Sequence, residues 1–217
     1  MRCHRLLLTA GILLFSLSAN AEWWGAPAGR SANPANGPDL SVEGVFSTSG
    51  DYDYLGARVN YQLNESITLY GDVGQGEFVD DDLAFGAGLF YYLPGLSEKA
   101  SFLNNVDVAA QGSYHMLSAD FVDISSISGS LLFSGREALS SNGLMWYANA
   151  GFTRLEIDVD LVVDFGFGSF GSSASDDSFE LQLGGGVYLP MGPGELYAGA
   201  DLIDEFILAV GYRYGIN

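Results

Sequence analysis

The stretch YLGARVNYQL, residues 54–63, decides the fold because apolar and polar side chains alternate along it without a break. One set of positions is apolar and comprises Leu55, Ala57, Val59, Tyr61 and Leu63. The other set is mostly polar or small and comprises Tyr54, Gly56, Arg58, Asn60 and Gln62. Successive side chains of an extended chain point to opposite faces. The stretch therefore predicts a β-strand with one apolar face and one polar face.

The same alternation recurs as far as the last residues of the chain. It is clear in residues 83–93, 179–189 and 206–214, and weaker in 40–48, 67–73, 106–116, 144–157 and 196–202. The Ser-rich segment 121–133 is counted as a further strand. Near Phe152 the apolar positions change from even to odd numbers, which predicts a bulge or a strand end. About ten antiparallel strands follow, or eight if the segment around Leu196 or the Ser-rich segment is misassigned.

The first residues predict export from the cytoplasm. Arg2 and Arg5 precede an apolar run over 6–17, and Ala19-Asn20-Ala21 matches the site that a signal peptidase cleaves. The run is too short for a membrane anchor, which needs about 20 apolar residues. Residues 1–21 are therefore a predicted signal peptide. Residues 22–38, rich in Gly, Pro, Ala and Asn, are a predicted flexible lead-in, and 39–217 form the barrel domain.

Composition excludes several classes of function. The chain has 27 acidic and 8 basic residues and a net charge of −19, which becomes −21 when Arg2 and Arg5 are removed with the signal peptide. Nucleic acid is a poor partner for such a chain. Cys3 is the only cysteine and lies in the signal peptide, so the remainder can form no disulfide and offers no thiol. No nucleotide-binding motif is present, so we expect no cofactor. The chain after the signal peptide has no cysteine ligand for a metal, and we expect no bound metal.

Three features favour a closed transmembrane β-barrel over a soluble β-sandwich, which would show the same alternation. The strands run for about 9–12 residues, the length that crosses hydrocarbon at a tilt. Tyrosines that lie near the turns of one side predict an aromatic girdle, and these are Tyr61, Tyr91, Tyr92, Tyr188, Tyr212 and Tyr214. Acidic segments at 77–82, 158–177 and 201–205 fall at the other end. We therefore predict short periplasmic turns, acidic extracellular loops and both termini in the periplasm.

With its signal peptide and its terminal strand 206–214, which includes Gly211-Tyr212-Arg213-Tyr214, the chain resembles the small outer-membrane barrels of the OmpA-like and OmpX-like type. The resemblance covers residues 39–217 as a pattern of strands. It implies a monomeric barrel in the outer membrane, inserted by the barrel-assembly machinery and surrounded by lipid and lipopolysaccharide. The chain departs from the family at its end, where Gly215-Ile216-Asn217 follow the last aromatic residue, Tyr214.

His115 is the one histidine after the signal peptide and is predicted to face the barrel interior with Asp107, Gln111 and Ser113. Outer-membrane acyl hydrolases that modify lipids resemble this architecture and use a His and a Ser two residues apart on one face, with an acid. Here Ser118 follows His115 by three residues, and Ser113 precedes it by two, which reverses the order. We favour a histidine hydrogen-bonded inside the lumen, with a lipid A acyl-modifying enzyme as an alternative.

Glu43 and Arg58 are predicted to lie inward on the first two strands. If the hairpin turns at residues 49–51, they stand opposite each other as a lumen ion pair that fixes the register. A second set of acids is a candidate contact for divalent cations or lipopolysaccharide phosphates and comprises Glu77, Asp80, Asp81, Asp82, Asp158 and Asp160. The simpler interpretation of these acids is solvated loops, because no twelve-residue calcium loop is present.

The function predicted from these features is that of a non-enzymatic outer-membrane protein with a structural or surface-interaction role in the cell envelope. Side chains fill the interior of barrels of about eight strands, so an open pore is not expected. A narrow channel for small solutes remains an alternative, because several inward positions carry Gly or other small residues.

Overall fold

The computed structural model describes residues 28–50, 53–77, 81–99, 105–118, 122–164, 169–203 and 205–216. The predicted signal peptide lies outside these residues. The chain forms ten strands: β1 (Leu40–Thr48), β2 (Asp53–Gln62), β3 (Ile67–Glu77), β4 (Asp81–Tyr92), β5 (Val106–Ser118), β6 (Val122–Gly135), β7 (Met145–Asp164), β8 (Ser169–Met191), β9 (Gly194–Leu202) and β10 (Phe206–Ile216). A short 3-10 helix spans Pro34–Asn36, and helix α1 spans Pro94–Lys99.

The strands close into a barrel. Each pairs antiparallel with its neighbours in sequence, and β1 pairs with β10 in a register that places Leu40 opposite Ile216. Closure leaves no open edge around the barrel wall. The β7–β8 hairpin continues beyond it, where β8 before Leu183 pairs with β7 alone. The predicted ten-stranded closed antiparallel barrel is confirmed. Neither helix of the described residues has the length and apolar character needed to cross a membrane.

The apolar face of the alternating pattern lies on the outside of the barrel. On β10, Phe206 is 60% exposed, whereas Ile207 beside it is 6% exposed. The same order holds on β4, where Phe85 and Leu89 are exposed and Phe90 is buried. The large apolar side chains therefore cover the outer wall, and they are not enclosed between two stacked sheets.

Tyrosine rings and glycines fill the interior together. The Tyr54 ring lies against Gly56 of its own strand and Gly74 of β3, so that a Cβ at either glycine would overlap it. Tyr147 occupies the space above Gly186 and Gly199 in the same way. Glycine in a strand interior marks a close approach of another group, and here that group is an aromatic ring. This packing explains why the inward positions beside these rings are small.

The change in apolar positions near Phe152 marks a reversal of polarity along one continuous strand. The pairing of β7 with β6 and β8 runs through this point without an inserted residue, so the predicted bulge or strand end is wrong. Beyond Thr153 the described inward side chains of β7 are apolar and include Leu155 and Val159, while the outward Glu156 and Asp158 are exposed. The segment 158–177, predicted to be a loop, is largely an extension of β7 and β8.

The predicted tyrosine girdle is only partly correct. Tyr61, Tyr91 and Tyr214 are each about half exposed on the outer wall. Tyr92 follows Tyr91 in an alternating strand and so points the opposite way, where its hydroxyl donates to Asp107 Oδ1 at 2.9 Å. Tyr188 is likewise buried inside. An aromatic residue near a turn belongs to the girdle only if its position in the alternating pattern directs its side chain outward.

Candidate functional site in the charged lumen

A row of charged side chains crosses five neighbouring strands inside the barrel, and we call it the lumen charge row. The register places its members opposite one another, and they are Glu195, Arg213, Glu43, Arg58 and Asp72 on β9, β10, β1, β2 and β3. The sign alternates at every step. Opposite charges on facing strands stabilise a register.

Short contacts join the members of the row. Arg213 Nε lies 3.0 Å from Glu43 Oε1, and Arg213 Nη1 lies 2.8 Å from Glu195 Oε2. Arg58 Nη2 lies 2.6 Å from Asp72 Oδ2. The Tyr197 hydroxyl donates to Glu43 Oε2 at 3.0 Å, and Asn60 Nδ2 donates to Glu43 Oε1. Buried charges are tolerated when they are paired and hydrogen-bonded in this way.

Glu43 and Arg58 stand opposite each other in the register, and both are almost completely buried. In the described ion pairs, Glu43 contacts Arg213 and Arg58 contacts Asp72. The predicted pair is therefore one step of a longer row. Sequence reasoning missed Asp72 and Arg213, although both carry a charge at an inward position of an alternating strand.

Residues 28–38 lie in the barrel mouth beside the row, at the end that carries residues 40 and 216, and we call them the plug segment. Arg213 Nη2 donates to the carbonyl oxygens of Ala28 at 3.4 Å and Gly29 at 3.0 Å. Ala32 N donates to Ser134 Oγ on β6 at 2.9 Å. Gly29 has a φ of +51° and packs on the Tyr197 ring, where a side chain would not fit. Sequence reasoning treated 22–38 as a lead-in and missed these contacts; residues 22–27 lie outside the described residues.

His115 continues the direction of the row on β5, beyond Gly86 of β4. Its Nε2 lies 3.4 Å from Asp72 Oδ2, and the side chain is buried. Asp107 and Ser113 face inward with it, as predicted from the alternation. Ser118 lies on the exposed side and donates to Asp123 Oδ1 at 2.6 Å. His115 therefore points away from the outer wall.

The acidic candidates are described only in part. Glu77, Asp81 and Asp82 are strand residues whose side chains lie outside the described set, as does that of Asp160, and Asp80 lies outside it entirely. Asp158 is exposed on β7. Asp201, predicted to belong to an acidic loop, is instead a buried β9 residue that accepts a hydrogen bond from Asn149 Nδ2 at 3.0 Å. Among the described residues, no group of three His, Cys, Asp or Glu is arranged to hold a metal.

Acidic side chains do meet on the outer face beyond the polarity reversal, and we call this surface the acidic face. The register places Asp123 opposite Asp158 and Glu156 opposite Asp177, and all four are exposed. The nearest described cation is Arg154, whose Nη2 lies 3.4 Å from Asp177 Oδ2. Like charges directly opposite each other destabilise a sheet.

No protein-family model and no curated protein matches this chain. Solved structures do resemble it. A KdgM porin in complex with disordered oligogalacturonate is 10% identical, with a TM-score of 0.45 over 82% of this chain and 99% of that chain. The N-terminal β-barrel domain of Pseudomonas aeruginosa OprF is 13% identical, with a TM-score of 0.37 over 82% and 99%. The Yersinia pestis attachment invasion locus protein Ail is 13% identical, with a TM-score of 0.29 over 81% and 95%. At these values the likeness concerns barrel architecture alone.

Proposed function

We propose that the protein is an integral outer-membrane β-barrel that acts as a closed structural and surface element of the cell envelope and not as a pore or an enzyme. The observation that carries the proposal is the opposite polarity of the two barrel faces. Apolar side chains face outward, and a hydrogen-bonded charge row occupies the interior.

The exposed side chains of the outer wall support the proposal that lipid surrounds the barrel. Leu55, Val73, Leu181 and Leu208 are each about half exposed or more, and similar side chains occupy the other strands. Soluble monomers rarely expose contiguous apolar patches larger than a few hundred Å². Only a closed barrel satisfies all strand backbone groups in hydrocarbon, and barrels of this kind are typical of the bacterial outer membrane.

The packing of the interior supports the proposal that the barrel has no open pore. Arg58, Tyr54, Tyr147 and Tyr197 are almost fully buried within it, and the plug segment adds Ala28 to Ala32 at the mouth. At the other end, Leu117 and Leu155 contribute to a buried apolar cluster. The cavity described beside the plug segment has a volume of about 10 Å³, roughly that of one water molecule.

The acidic face supports a role at the cell surface. Asp123, Glu156, Asp158 and Asp177 lie just beyond the apolar wall, at the level where lipid head groups would begin. Divalent cations that bridge these carboxylates to lipopolysaccharide phosphates would relieve their mutual repulsion. This contact is the most specific surface interaction that we propose.

Membrane fractionation combined with planar-bilayer recording tests the proposal. We expect the protein in the outer-membrane fraction, with a faster-migrating band before boiling than after it. The purified protein should give no steady conductance above that of protein-free bilayers. A soluble protein without a gel shift would contradict the membrane assignment, and a reproducible single-channel conductance would replace the closed barrel by the channel alternative.

A further inference from the structure

Arg30 is a buried cation that the plug segment carries into the barrel mouth. Its Nη1 donates to Asn60 Oδ1 at 3.3 Å, and its guanidinium carbon lies 4.9 Å from the centre of the Phe90 ring. Among the described residues it forms no ion pair within 4.0 Å. A buried charge in this position requires compensation from more distant charges.

The lumen charge row provides that compensation. It contains two arginines and three carboxylates, and Arg30 supplies a third guanidinium cation beside them. Glu43 and Glu195 attract Arg30, and Arg213 and Arg58 repel it. Asn60 links Arg30 to the row, because its amide accepts from Arg30 and donates to Glu43.

Every hydrogen bond described between the plug segment and the barrel wall involves at least one side chain. The segment's backbone–backbone hydrogen bonds join Asn36 to Asn33 and Gly37 to Pro34, and none within the described residues joins 28–38 to a strand. A cavity of about 10 Å³ lies beside it and is lined by Arg30, Ser31, Ser41, Glu195 and Arg213. Glu43 and Glu195 both contact Arg213, which belongs to β10 and not to the plug segment.

We propose that the barrel mouth is a binding site for a guanidinium-type cation and that Arg30 is the ligand that the chain itself supplies. The site consists of a hydrogen-bond acceptor, Asn60 Oδ1, an aromatic face, Phe90, and the carboxylates of the row, which outnumber its arginines by one. An aromatic face combined with carboxylate charge suits a flat, weakly hydrated cation. An arginine-bearing peptide or a small guanidinium compound that enters by this mouth would compete with Arg30.

Chemical rescue of Arg30→Ala in the full chain tests the site. We expect the variant, folded in detergent, to lose its compact band on unboiled gels at a lower temperature than the unaltered protein. Millimolar guanidinium chloride, far below denaturing concentrations, should raise that temperature in a saturable way, and sodium chloride at equal ionic strength should not. Arg154→Ala, which removes an exposed arginine, should show no such rescue. Equal effects of the two salts, or equal rescue of both variants, would overturn the proposal.

A second measurement does not depend on the folding of Arg30→Ala. Ser134→Cys places a thiol beneath the plug segment, where Ser31 and Ala32 contact residue 134. We expect slow labelling by a water-soluble maleimide and faster labelling when arginine amide is added, with glycine amide as the control. A labelling rate that is unchanged by arginine amide would count against an exchangeable site.

Discussion

Arg58 and Asp72 face each other across β2 and β3 with a 2.6 Å contact, and each side chain is only 1% exposed. Removing one partner of a buried pair leaves an uncompensated charge, which costs about 3–5 kcal/mol. We therefore expect Asp72→Asn to lower the midpoint of urea unfolding strongly, measured by the shift between folded and unfolded bands on gels. Asp177→Asn, which breaks the exposed pair with Arg154, should change the midpoint little. Similar midpoints for the two variants would show that the lumen charge row contributes little to stability.

The packing of tyrosine on glycine predicts a large effect from one added methyl group. In Gly74→Ala the new Cβ would overlap the Tyr54 ring, and overpacking of this kind costs about 1–3 kcal/mol. Gly44→Ala is the matched control, because nothing lies within 4 Å of its Cβ position. The unfolding midpoint should fall for the first variant and stay within error for the second. Combining Gly74→Ala with Tyr54→Ala should cost less than the sum of the two, since they share one contact.

His115→Ala tests the enzyme alternative. The imidazole is buried and faces Asp72 inside the barrel, so we expect mass spectra of lipid A to be the same in cells that express the variant and in cells that express the unaltered protein. A gain or loss of an acyl chain that depends on His115 would establish catalysis. The amount of the faster-migrating band on unboiled gels of the same samples distinguishes a loss of catalytic activity from a loss of folded protein.

The acidic face predicts a response to divalent cations. Magnesium or calcium at millimolar concentration should raise the unfolding midpoint, because it screens the opposing carboxylates of Asp123 with Asp158 and of Glu156 with Asp177. The double variant Glu156→Gln, Asp158→Asn should be more stable without these ions and respond to them less. Asp53→Asn, opposite Thr48, is the control and should keep the full response. An unchanged response in the double variant would place the ions elsewhere.

Period-two alternation predicted ten strands because the outward positions are apolar over residues 55–61 of β2, 83–91 of β4 and 206–216 of β10. The same signal placed Glu43, Arg58 and His115 in the interior. Two features escaped it for physical reasons. The plug segment has no period-two pattern because it forms no strand. The hydrogen bonds described between it and the wall each involve a side chain. The partners of each charge depend on strand register, which brings Asp72 to Arg58 and Arg213 to Glu43, and alternation within one strand carries no information on register.

The reversal of polarity along β7 determines how far the protein reaches beyond the bilayer. The outward Arg154, Glu156 and Asp158 are exposed, and pairing with β8 continues to Asp164. Ten residue steps from Arg154 at about 3.3 Å each give roughly 33 Å of paired strand, measured along β7, beyond the exposed Phe152. Any molecule that approaches this side of the barrel would therefore meet the projecting hairpin before it reaches the lipid surface.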